Sequence, residues 1–388
     1  KRYLLFFLSA IFLFVRGQES TVTTKLTPTD SIYLSKIPPL EIPAIYTSPD
    51  APTLPTSLDN SDLPYFRTIF EQDGWSCGQT ASIGYNFTYE INRIRNLPAD
   101  SDERLYPSHF AFNFFNDGEY PVGVGYFHTS DLLKYSGTPN VADYGAMSLG
   151  VLYWMSGYDN YYNSMHNKID RISSIYVGDQ EGLQVLKHWL HDHMDGSAHG
   201  SLANFYTDMG GVQVIPEGSP EAGKHVIPAF GNYYGHSLTI VGYNDSIQWD
   251  YNNDGQFTNN LDINGDGMVT MRDWEIGAVK IANSYGDDWA DSGFCYVMYK
   301  VLAEAKPGPG IWNNTVHVFD VKEDYSPLIT YKIKLKHTSR KRIRLFAGIS
   351  ADTNDQMPEH TIEIPLMNYQ GGDHFMRGTD TLESDRKS

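Results

Sequence analysis

The order of the hydrophobic periods constrains this chain more than any other feature. Three early segments read as helices: Tyr106–Asn116, with Ser108 as its leading polar residue, Ser130–Tyr135 and Glu181–Met194. From Val212 the pattern changes. HVIPAF, HSLTIVGY, GAVKIANS and FCYVMYKVL are β-branched or aromatic runs bounded by Gly, Asn and Asp, as strands are. Helices first and strands afterwards predict an α+β fold, and 388 residues are ample for a large core.

Before these helices stands Glu71–Arg95, which holds Cys77, one of only 2 cysteines in the chain. Ala81, Tyr85, Thr88, Ile91 and Ile94 follow at steps of three or four, so the segment reads as a helix with one buried face that starts near Cys77. A thiol on the first turn of a helix feels the positive end of the helix dipole, which favours the nucleophilic thiolate. Gln72 lies five residues upstream, and its amide could donate a hydrogen bond near the sulfur. The competing reading is a buried, inert cysteine. A disulfide to Cys295, the default in a secreted chain, would also consume the thiol.

A thiol nucleophile needs a base, and the base needs an orienting partner. His236 opens the strand-like GHSLTIVGY, and Asn283 closes the strand in AVKIANSYGDDW. Histidine titrates near neutrality, and asparagine can hold one ring tautomer without adding charge. Here the chain resembles the papain family of cysteine peptidases. NSYGDDWADSGFCYVMY is similar to that family's Asn-Ser-Trp-Gly block, GHSLTIVGY to its histidine strand, and EQDGWSCGQTAS more loosely to its Gln…Cys motif. The resemblance runs over Leu63–Val301 and implies a two-lobe fold, helical lobe and antiparallel β lobe, with peptide substrates. It implies Cys77 as nucleophile, His236 as base and later acid, Asn283 as orienter, and Gln72 with the Cys77 N–H as oxyanion donors. Three departures stand out. Gly78 replaces the Trp that usually follows the nucleophile, and Gln72 is five rather than six residues ahead of Cys77. Tyr285 takes the place of a Trp, with Trp289 retained. The family's structural disulfide cysteines are missing, which weakens the case for a bridge at Cys77.

His236 and Asn283 are 47 positions apart, where the resemblance implies only a short hairpin, so something is inserted. Residues 250–273 fill the gap with Asp-x-Asn-x-Asp-Gly written twice. Alternate oxygens of such a loop suit calcium, and the sixth-place glycine allows the sharp turn. In the second loop the expected ligands are Asp262, Asn264, Asp266, the Met268 carbonyl and Asp273, which takes the twelfth place as in dockerin-type loops. In the first they are Asp250, Asn252, Asp254 and the Gln256 carbonyl; its twelfth place is Leu261, so Asp262 or water must complete it. Two metal-free Asx turns are the simpler alternative. Because the insertion joins the His236 and Asn283 strands, calcium is expected to be structural and to hold catalytic geometry without touching substrate.

Residues 1–17 join a basic start to an apolar run too short to span a bilayer, and read as a secretory signal. No other stretch could cross a membrane. Residues 18–60, rich in Pro, Thr and Ser, read as a linker or short pro-segment, and 61–304 as the peptidase domain. After PGPG, residues 312–388 alternate like the opening strands of a separate β-sandwich, too few to close it, so further chain and a surface attachment are expected beyond Ser388. The formal charge of −18 argues against nucleic acid as partner. The expectation is a secreted, calcium-stabilised cysteine endopeptidase. An inactive papain-fold calcium-dependent adhesion module and an acyl-transferase with the same site are the rivals.

Overall fold

Two large apolar clusters form most of the interior, and the helix that begins at Cys77 gives Ile83, Phe87 and Ile91 to one of them and Tyr85 and Tyr89 to a smaller third cluster. The computed structural model describes residues 36–119, 122–232, 235–352, 354–363 and 365–376, so the signal reading of 1–17 and the first part of the linker, 18–35, lie outside it. The helix, α1 (residues 77–95), is α-helical over Cys77–Gln79, π-helical over Thr80–Phe87 and α-helical again over Thr88–Arg95. It stops where Asn96 takes a left-handed conformation at φ 51° and its N–H turns back to Arg93. The expected single buried face is corrected here: α1 is buried all round from Gly78 to Asn92. Buried polar side chains make this possible, and they also blur the apolar period.

The helical side is completed by α2 (Ser108–Phe115) and α3 (Tyr126–Ser136), whose Phe110, Phe114, Leu132 and Leu133 pack with Ile83, Phe87 and Ile91 of α1. On the other side α4 (Gln180–Asp192), capped by Asp179 accepting from Gly182 N at 2.8 Å, lays Leu183, Leu186 and Leu190 on the sheet.

The sheet contains β1 (Ser57–Asp59), β2 (Ile169–Tyr176), β3 (Ala203–Thr207), β4 (Gln213–Val214), β5 (His225–Ile227), β6 (His236–Gln248), β7 (Ile276–Ala282), β8 (Phe294–Met298) and β9 (Thr315–Val321). Its order is β2-β9-β3-β6-β7-β8-β5-β4, with β1 on β6, and all neighbours but the parallel β5–β8 pair are antiparallel. This is the α+β class expected. The first eight residues of β6 are buried without alternation because α1 and α4 cover both its faces.

Two boundary expectations are corrected. TVHVFDV opens no separate domain; it is β9, paired with β2 and β3 inside the main sheet. Its Val316 and Val318 join one core and its Phe319 and Val321 the other, so a strand between two cores carries apolar residues on both faces. ITYKIKLKH is not a strand, and of the expected C-terminal β domain there remains, among the described residues, the pair β10 (Phe346–Ile349) and β11 (His360–Glu363). Likewise 36–60 is packed chain, not linker. Leu40 donates its N–H to Ser174 O at 2.8 Å and enters the core, β1 pairs with β6, and Asn60 is buried. Among the described residues no helix is long and apolar enough to cross a membrane.

Asn60 Nδ2 donates to Leu190 O and Ser201 O, both at 2.8 Å, tying this strap to the end of α4. Asn60→Ala leaves two buried carbonyls without a donor, and we expect urea unfolding to show a loss of about 2 kcal/mol. An unchanged midpoint would mean the strap is not clasped there.

Candidate active site

The polar contacts between α1 and the sheet decide where the site forms. The Ala81 carbonyl, inside the π-helical stretch, accepts from Asn204 Nδ2 and Thr239 Oγ1, each at 3.0 Å. Asn86 Nδ2 adds a bond to Asn204 Oδ1 at 2.6 Å. These bonds lock α1 to β3 and β6, and so bring the start of α1 beside the start of β6. The Cys77 thiol there donates to the carbonyl of Gly235, the residue before His236, at a sulfur–oxygen distance of 3.8 Å. Gly78 explains one sequence departure: a Cβ there would fall 2.8 Å from the Val124 carbonyl oxygen, so no side chain fits after the cysteine.

His236 is buried, and its Nε2 lies 2.7 Å from Asn283 Oδ1. The same Oδ1 accepts the Ser284 N–H at 2.7 Å, which identifies it as the oxygen of the amide. An oxygen only accepts, so Nε2 carries the hydrogen and Nδ1 keeps its lone pair. Tyr285 packs against the ring with centroids 5.0 Å apart, and Trp289 meets Tyr285 edge-on at 6.3 Å, so the aromatic cover expected of Tyr285 and Trp289 is present.

Gln72 is held beside the same segment. Its N–H donates to Ser284 O at 2.9 Å, its Oε1 accepts from Ser284 Oγ at 2.5 Å, and its Nε2 donates to Gly74 O at 2.6 Å. That bond uses one of two amide hydrogens and leaves the second for a ligand. Ser284 was not singled out from sequence, yet it anchors both Gln72 and Asn283; a serine beside the orienting asparagine was its only signal.

Both cysteines are free, and Cys295 is buried in the β8 core, so the disulfide alternative is absent. Burial pushes the Cys77 thiol up to about 11, against the pull of the Ser237, Gly78 and Cys77 N–H groups. Burial likewise pushes His236 down to about 4, with Asn283 and Asp208 pulling the other way. Burial thus outweighs the helix-start effect on the resting thiol. Either charge alone is disfavoured.

The acidic insertion forms two loops of one design. Asp250 accepts from Gly255 N and Asp262 from Gly267 N, each at 2.9 Å; Asn252 and Asn264 accept from Asp254 N and Asp266 N; Asp254 and Asp266 accept from Gln256 N and Met268 N. Asp273 is buried and receives Ile263 N, Asn264 N and Thr270 N; burial works to raise it, but these N–H groups hold it below the usual carboxylate range. Glu275, which sequence reading missed, does the same for the first loop: it is buried and takes Tyr251 N and Thr258 N at 2.9 and 3.1 Å. Loop counting looked for a twelfth residue at Leu261, and the closing carboxylate comes instead from beyond the second loop. Among the described residues no three His, Cys, Asp or Glu side chains converge as a metal cluster. Asp250 Oδ1 is buried without a hydrogen-bond partner. The insertion caps the far end of the β6–β7 hairpin, and the 13 residues of β6, at most about 40 Å end to end, lie between it and His236.

No family model and no curated protein matches the chain. Solved structures similar to it include xylellain, a cysteine protease from Xylella fastidiosa, at 13% identity and a TM-score of 0.47, over 79% of this chain and 98% of that one. Digestive procathepsin L2 proteinase from Tenebrio molitor larval midgut is similar at 14% identity and a TM-score of 0.47, over 78% of this chain and 80% of that one. A recombinant stem bromelain precursor is similar at 14% identity and a TM-score of 0.43, over 73% and 74%.

With the thiol raised to about 11, the imidazole is needed to make thiolate at neutral pH. His236→Ala should therefore slow iodoacetamide alkylation of Cys77 at pH 7 by about tenfold or more, and the rate should recover as pH rises toward 11. Peptide mass mapping reads the rate, and equal rates at pH 7 would separate the two groups.

Proposed function

We propose that the protein is a secreted cysteine peptidase of papain-like fold that cleaves peptide or protein substrates. The observation that carries this reading is the 2.7 Å bond from His236 Nε2 to Asn283, on a histidine whose preceding residue, Gly235, the Cys77 thiol touches. In the reaction, Cys77 Sγ passes its proton to His236 Nδ1 and attacks the substrate carbonyl. The oxyanion that forms meets the Cys77 N–H and the second hydrogen of Gln72 Nε2. His236 then protonates the leaving amine, the C–N bond breaks, and a thioester remains on Cys77. A water molecule, deprotonated by His236, attacks the thioester and regenerates the thiol. Asn283 holds the tautomer throughout. We read residues 1–17 as the secretory signal that sends the protein outside the cell.

We further propose that the insertion binds calcium as a structural ion. Its donors are all oxygens, as calcium requires, and the orphaned Asp250 Oδ1 is a buried carboxylate oxygen that lacks a partner. Asp250, Asn252, Asp254, the Gln256 carbonyl and Glu275 would serve the first loop. Asp262, Asn264, Asp266, the Met268 carbonyl and Asp273 would serve the second. The distance to His236 gives the ion a role in holding the hairpin end and none in the chemistry.

Cys77→Ala should abolish hydrolysis of a denatured general protein substrate while the fold, read by circular dichroism, is unchanged; persistent hydrolysis would place the nucleophile elsewhere. In thermal unfolding, added calcium should raise Tm by mass action, and Asp262→Ala should remove most of the rise. A Tm indifferent to calcium and to chelator would refute the ion.

A further inference from the structure

Between Gln72 and Cys77 the chain makes a short loop that must hold its shape if two oxyanion donors, one at each end, are to face one point. The Asp73 carbonyl is the hub of this loop. It accepts from Ser76 Oγ at 2.9 Å, inside the loop, and from His109 Nε2 at 3.0 Å, outside it. His109 comes from α2 and is fully buried, and the peptidase chemistry gives it no part. Its other nitrogen, Nδ1, lies 3.0 Å from Ser148 Oγ, and Ser148 Oγ lies 2.5 Å from Asp73 Oδ2. The Gly150 N–H donates to the same hydroxyl at 3.1 Å, fixing its oxygen. The loop is thus gripped through both its backbone and its side chain by two residues far away in sequence.

The hydrogens show how tightly this is drawn. A carbonyl only accepts, so His109 Nε2 carries a hydrogen. Ser148 has one hydrogen and two acceptors beside it, the Asp73 carboxylate and His109 Nδ1. With a neutral ring it serves one or the other; a proton on Nδ1 lets all three contacts stand together.

We propose that His109 and Ser148 are positioning residues for the oxyanion side of the site, holding residues 73–76 so that the Gln72 amide and the Cys77 N–H converge on the substrate oxygen. The proposal rests on the peptidase reading and assigns neither residue a contact with substrate. It separates two properties of Cys77. Attack on an amide develops an oxyanion and needs both donors, whereas alkylation by iodoacetamide displaces iodide and develops none.

The test compares these two reactions in wild type, Ser148→Ala and Ser148→Thr. Ser148→Ala is expected to lower kcat for an amide substrate about tenfold with KM little changed, while the iodoacetamide rate at Cys77 stays at the wild-type value. Ser148→Thr restores the hydroxyl and should recover kcat. Should Ser148→Ala fail to fold, Asp73→Asn weakens the same contact from the exposed side and carries the same expectation. Ser148→Ala hydrolysis equal to wild type, or hydrolysis and alkylation falling together, overturns the proposal while the peptidase reading stands. Wild-type protein that alkylates but hydrolyses no amide overturns the peptidase reading, and this proposal with it.

Discussion

One carbonyl oxygen carries much of the architecture. Ala81 O sits within the π-helical stretch of α1 and takes hydrogen bonds from Asn204 of β3 and Thr239 of β6. In a regular α-helix that oxygen takes the amide four residues on; π-winding shifts the ladder to the amide five residues on, and the sheet adds side-chain donors. Those donors are fully buried, so a slip of α1 along the sheet would strand polar groups in the interior, at a cost of several such bonds. The position of Cys77 against the start of β6 follows from this lock. The approach of Cys77 to His236 is then a consequence of helix–sheet docking, and the bonds among Gln72, Ser284, Asn283 and His236 refine it.

The same burial sets the chemistry. Sulfur and imidazole sit where protein mass resists a lone charge, with the thiol pushed up to about 11 and the ring down to about 4. On the proposed reading such a site rests neutral, and the two charges arise together when the proton moves. The Asn283 oxygen, already fixed by Ser284 N–H, gives the imidazolium a partner without placing a negative charge near the thiolate. The acidic insertion, by contrast, gathers its charge at the far end of the hairpin.

How much of this could be read from residues depended on the range of the interaction. The class was legible because helical and strand periods follow one another. Cys77, His236 and Asn283 could be picked out as candidates because each sits at the end of a patterned element, and the structure brings the ends of those elements together. The face of α1 was misjudged, since Gln79, Asn86 and Glu90 are buried by partners that no local pattern reveals. TVHVFDV was placed outside the domain because a strand between two cores carries the same residues as one opening a sandwich. Glu275 was missed because its loop lies on the other side of a second loop. His109 and Ser148 meet Asp73 across 36 and 75 residues of sequence, and nothing near any of them marks the contact.

The central claim is that the Cys77 sulfur becomes covalently bonded to the acyl half of the substrate. Acid quenching of the reaction with an activated peptidyl ester, followed by peptide mass spectrometry, tests it directly. The account predicts an acyl group on the peptide that contains Cys77, formed within the first turnover and discharged by water afterwards. An acyl group on any other residue, or turnover with no acylated peptide under conditions that preserve thioesters, would contradict it.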